Sequence, residues 1–151
     1  MSIVEVIIAI AIAAIVITGI IGAYPFFLRT GLATLDTSRA SLLGEEGIEI
    51  VRMLRDDSWT SNIAALTLNT AYWSEFSASK WKSTTTPQLI DGKFNRTFKL
   101  SSVYRDSNDN IASSGTLDPK TRRVDVVVVW KSSNGTSTAT TSTFTTDLFS
   151  N

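Results

Sequence analysis

Along the chain the hydrophobic pattern changes period twice. From Val6 to Ala23 the side chains are apolar on every side, and the hydroxyl of Thr18 is the sole polar one. Eighteen such residues in a helix reach about 27 Å, close to the ~30 Å hydrocarbon core of a bilayer. Further on, Leu28, Leu32, Leu35, Leu42, Leu43, Gly47, Ile50, Val51 and Leu54 recur at spacings of about three or four. Arg29, Asp36, Arg39, Glu45, Glu46, Glu49, Arg52 and Arg55 fall between them, the pattern of one amphipathic helical face. Together the two stretches predict one helix to about Asp57, roughly 80 Å long. Pro25 removes an N–H and crowds the carbonyl of Ile21, and Gly19 and Gly22 weaken the same turns.

From Lys93 the period becomes two. Phe94, Phe98, Leu100 and Tyr104 share a face interrupted by Arg96 and Ser102, and Val124, Val126, Val128 and Trp130 form a second such face. Val127 and Val129, on the opposite face, imply a central strand covered on both sides, or packing in a filament. Asn134-Gly135 predicts a hairpin turn, with Thr136 to Thr146 returning as a third strand. Eleven of the fifteen residues from Ser132 to Thr146 are Ser or Thr, which suits an exposed edge strand. The expected fold is therefore α+β, with the helix packed on a C-terminal antiparallel sheet of three to four strands. Residues 1–28 would be the apolar transmembrane or filament-core helix, and 29–57 the amphipathic helix on the head. Residues 58–92 read as an irregular helix-to-sheet connection and 93–151 as the sheet.

Composition removes most enzymatic readings. The chain has no histidine and no cysteine, so the commonest general base, Ser-His-Asp arrangements, thiol chemistry and His- or Cys-ligated metal sites are all absent. Glycine spacing shows neither a phosphate loop nor a dinucleotide fingerprint. Fourteen basic against fourteen acidic residues give no net charge, which argues against nucleic acid bound by phosphate neutralisation. The expectation is a non-enzyme with no resident cofactor.

Glu5 is the anomaly. A carboxylate inside an apolar membrane segment costs from roughly 2.5 kcal/mol upward at the membrane centre. A secretory signal is a poor fit, because no Lys or Arg precedes Val6 and Tyr24-Pro25-Phe26-Phe27-Leu28 is not a small-residue cleavage site. A plain anchor fits the length and would leave Glu5 to snorkel to the interface.

Ser2-Ile3-Val4-Glu5, the uninterrupted apolar run and the Ala23-Tyr24 pair resemble the type IV pilins and pseudopilins. The resemblance is most specific over the first 24 residues. It implies a mature chain whose N-terminal residue, Met1, is exposed by a prepilin peptidase and methylated. It also implies a helical homopolymer on the cell surface, built by pilus assembly machinery from subunits held in the cytoplasmic membrane. Glu5 of one subunit would then neutralise the N-terminal amine of Met1 in its neighbour, fixing axial register where the dielectric is low. Where the family usually carries its helix-breaking glycine and proline, this chain has Ala14 and Gly22, with proline at Pro25. The resemblance implies unwinding around residues 18–25 inside a filament. A lone chain in lipid should keep that segment helical, because unpaired backbone groups in hydrocarbon are costly. The stretch Glu45-Glu46-Gly47-Ile48-Glu49-Ile50-Val51-Arg52 also resembles minor pilins and secretion pseudopilins.

Three smaller signals complete the reading. Glu45 and Glu49, four apart on one helical face, either meet Arg29 or Arg39 of a neighbouring subunit or pair within the chain. Asp106, Asn108 and Asn110 begin like a calcium loop, but Ile111 and Leu117 occupy the places of its turn glycine and final glutamate. Asn95-Arg96-Thr97 and Asn134-Gly135-Thr136 match a glycosylation pattern common by chance in Thr-rich chains. Trp59, Tyr72, Trp73, Phe76 and Trp81 are expected as packing residues. A stacking platform at Trp81, between Lys80 and Lys82, is the less favoured alternative.

Overall fold

The computed structural model describes residues 2–132 and 135–148. Helix α1 runs Ile3–Asp57. A π-helical turn at Thr60–Ala64 follows. Seven strands come next: β1 (Ala71–Ser77), β2 (Lys80–Thr84), β3 (Leu89–Ile90), β4 (Phe94–Arg105), β5 (Ile111–Ala112), β6 (Thr116–Ser132) and β7 (Gly135–Thr146). Every pairing is antiparallel. The sheet order is β2-β1-β4-β6-β7, with the short β3 and β5 each on β4.

The chain divides into two compact units at Asp36–Thr37. The first is helix alone. It stays helical through Gly19, Gly22 and Pro25.

The second unit has its own core. Ile48, Ile50, Val51 and Leu54 of α1 pack with Ile63, Tyr72, Phe98, Leu100, Val124 and Val126. Ala40 and Leu43 pack with Phe94, Val128 and Trp130 in a second cluster. Each large apolar side chain buried this way contributes about 1.5–3 kcal/mol. Close approach of helix to sheet rests on two glycines. A Cβ at Gly47 would lie 2.6 Å from Val126 Cγ1 and 3.2 Å from Arg96 Cδ, and one at Gly44 would lie 2.6 Å from Thr141 Oγ1.

Several expectations change. Residues 58–92 are not irregular: they hold the π-helical turn and the β1–β2 hairpin, and the sheet has more strands than three to four. The hairpin turn is Ala78-Ser79, both at positive φ (52° and 61°), between the paired Ser77 and Lys80. That is the geometry usually marked by Asn-Gly, so neither residue signals it. Leu42 is 70% exposed, because the buried stripe runs through Leu43, Gly47, Ile50 and Leu54, and Leu42 lies about 100° round the helix from Leu43. Tyr104 leaves the face of Phe94: the partner of β4 jumps from Arg122 at Ser102 to Asp118 at Val103. This bulge turns Val103 inward and Tyr104 outward. Asn134, of the expected Asn134-Gly135 turn, lies outside the described residues. On either side of it Ser132 pairs with Gly135, so β6 and β7 do form a hairpin.

Candidate assembly surface

The surface of the first unit follows directly from its sequence. Ile7, Ile10, Val16, Ile17, Ile20, Ile21, Phe26 and Phe27 are all exposed, because the helix is apolar all round and nothing in its own unit covers it. Its few hydroxyls turn inward on their own backbone: Thr18 donates to the Ala14 carbonyl at 2.7 Å, and Thr30 to that of Phe26 at 3.0 Å. From Val6 to Ala23 the outer surface is thereby left apolar. Around Gly19, Gly22 and Gly31 a Cβ would meet nothing within 4 Å, so these are low points where another helix can approach closely. Pro25 brings no N–H to the carbonyl of Ile21, leaving an acceptor on this stretch without its usual helical donor.

Glu5 sits in the first turn and closes it. Its Oε2 accepts a hydrogen bond from the Ser2 N–H at 3.2 Å, while the Ser2 carbonyl accepts from the N–H groups of Glu5 (3.0 Å) and Val6 (3.3 Å). This is the glutamate half of a capping box, and a carboxylate there also meets the positive end of the helix dipole. The signal was in the sequence, as Ser2-x-x-Glu5, and the apolar-run reading overlooked it. Met1, the expected partner of Glu5 across subunits, lies outside the described residues.

Of the four charges proposed for intersubunit pairing, Arg39 and Glu49 each meet another residue of the second unit. Arg39 pairs with Asp91 across the head, with its guanidinium 5.6 Å from the Phe94 ring centre. Glu49 accepts from Arg52 at 2.5 Å. Arg29 and Glu45 are exposed. Arg39 and Glu49 thus have intrachain partners, the arrangement weighed against the intersubunit one.

The charge that the head does bury is Arg96, on the apolar face of β4. It is 7% exposed, donates to the Leu43 carbonyl at 3.1 Å and lies 3.1 Å from a carboxylate oxygen of Glu46. Its other nitrogen reaches Ser74 Oγ at 3.4 Å. The sequence showed a cation interrupting that face but not its partners.

Asp106, Asn108 and Asn110, which begin like a calcium loop but lack its turn glycine and final glutamate, form a self-closed turn. Asp106 Oδ1 accepts from the backbone N–H groups of Asn108 (2.8 Å) and Asn110 (2.9 Å), and the Asp106 N–H donates to the Asn110 carbonyl at 2.9 Å. The amides of Asn110 and Asn108 hold the Asp106 carboxyl below the usual range. The neighbouring Asp118 carboxylate accepts from Arg105 Nε at 2.7 Å, and the same guanidinium donates to the Asp109 carbonyl at 2.8 Å. A cation already occupies the position that Asp109 and Asp118 would offer to another. Among the described residues no three acidic side chains gather into a metal-binding group. Trp81 stacks edge-on against Phe76 with ring centres 5.3 Å apart, and packs against the core.

Compared with known proteins, the chain matches no family model, no curated protein and no solved structure.

Proposed function

We propose that this chain is the structural subunit of a type IV pilus-like surface filament. One observation carries the reading. No residue in the apolar stretch of α1 is buried, while the second unit has a core of its own. Apolar area on that scale must be covered by lipid or protein. A bundle of such helices covers it in a filament, and the membrane covers it beforehand. Glu5 then supplies register by meeting a neighbour's N-terminal amine, provided Met1 is the mature terminus. The chemistry needed is adhesion and alignment, with no catalytic step. A minor pilin or a secretion pseudopilin would use the same surface in a shorter or capped assembly.

The Ser2–Glu5 bond favours a second reading, in which the carboxylate only caps the first turn of a single-pass anchor and the head binds a ligand without polymerising. Shearing cells and measuring the chain in the released filaments separates these readings. Abundance supports the main subunit, trace amounts a minor one, and absence with retention in the membrane the anchor.

A further inference from the structure

The head sheet ends in two very different edges. β2 is five residues long and carries Lys80 and Lys82, the usual protection of an edge against unwanted pairing. β7, at the other end, is twelve residues long and pairs with β6 from Gly135 to Thr146 without a register shift. It contains no charged residue and no proline. Among the described residues no strand lies on its far side. Thr136, Thr138, Thr140, Ser142, Phe144 and Thr146 are exposed along one face. Toward the other face Ala139 packs on the core and Thr141 lies against Gly44, so the strand is held in place. Such an edge presents its outward N–H and C=O groups as a template for another strand.

We propose that β7 pairs antiparallel with β7 of a second copy, extending one sheet across two heads. The charge pattern selects the occupant. β7 itself carries no charge, the Asp125 carboxylate beside it is already bound by Arg123 and Ser142, and β2 of another copy would bring two lysines to this edge. A second β7 is a neutral strand of equal length. A twofold axis normal to the sheet sets residues of the same face opposite one another. With Thr140 against its own copy, Thr138 meets Ser142 and Thr136 meets Phe144. Cross-strand hydroxyl pairs of this kind stabilise sheets, and the chain already contains one, with Thr121 Oγ1 and Thr146 Oγ1 3.3 Å apart.

The absence of cysteine makes the test direct. The full chain in detergent micelles carrying Thr140→Cys should oxidise to a disulfide-linked dimer several-fold faster than a Lys82→Cys control. Thr138→Cys and Ser142→Cys should cross-link to each other when mixed. Adding Thr138→Lys to the Thr140→Cys chain should return its rate to the control level, with an unchanged circular dichroism spectrum showing the head still folded. Association through the apolar helix alone would raise both cysteines equally. Equal rates for Thr140→Cys and Lys82→Cys, or preferential cross-linking between those two sites, would overturn the pairing.

Discussion

Arg96 Nη1 stands 3.1 Å from both the Leu43 carbonyl and the Glu46 carboxylate, tying β4 to helix α1 through a buried guanidinium. Glu46 is 52% exposed, so water takes over part of its role when it is removed. Glu46→Ala should cost about 1–2 kcal/mol, below the ~3–5 kcal/mol of breaking a fully buried pair. Arg96→Ala should cost more, about 3 kcal/mol, because it also vacates the space beside Gly47. Urea unfolding that ranks Glu46→Ala as the more damaging change would refute this assignment.

The glycines of α1 should respond in opposite directions to one substitution. Gly47→Ala places a methyl against Val126 and should destabilise the head by about 1–3 kcal/mol. Val126→Ala in the same chain should recover part of that loss. At Gly31 the added methyl meets open space, and Gly31→Ala should gain up to ~1 kcal/mol of helix stability. Thermal unfolding of the three variants in detergent, followed by circular dichroism, reads the signs.

Glu5→Gln keeps an acceptor for the Ser2 N–H and discards the charge, whereas Glu5→Val discards both. If register depends on the charge, both variants should lower sheared filament roughly tenfold or more, equivalent to ~1.4 kcal/mol per contact. Both should still fold and reach the membrane. If capping is the whole role of Glu5, Glu5→Gln should assemble normally. Quantitative blotting of the sheared and membrane fractions decides.

Acid should weaken the head through its aspartates. Arg105 holds the Asp118 carboxyl below its usual range, helped by Thr121 and the Lys120 N–H and opposed by burial. Hydrogen bonds from Lys80 and then Asn62 lower Asp57 likewise. A carboxyl lowered on folding contributes stability that is complete above its unfolded value of ~3.9 and is lost as pH falls through the folded value. The urea midpoint should stay level from neutral pH to about pH 5 and fall below about pH 4. Asp118→Asn should lower the neutral plateau by about 1 kcal/mol and make the acid limb shallower. An unchanged acid limb in that variant would remove Asp118 from the explanation.

Much of this architecture follows from local pattern alone. An all-round apolar run followed by a one-sided stripe specifies a helix with an uncovered first half, whatever it later packs against. A period of two, broken only by Arg96 from Phe94 to Leu100 and carried by Val124, Val126, Val128 and Trp130 in the next run, specifies strands, because the side-chain period of a strand is two. Ser2-x-x-Glu5 specifies a cap. Other features came only with the tertiary structure. The Ala78-Ser79 hairpin adopts positive φ in residues that do not favour it, so the cost is met by pairing β1 with β2 and β4. The bulge between Ser102 and Val103 answers to the three extra residues of β6 opposite it, a long-range mismatch with no local mark. The Leu43 carbonyl bound by Arg96 and the Asp91 carboxylate bound by Arg39 lie 53 and 52 residues away along the chain. Spacing alone cannot choose among the carboxylates and carbonyls available at such separations. Packing chose them, by bringing Gly44 and Gly47 close enough to the sheet for helix and strand to share one buried cation.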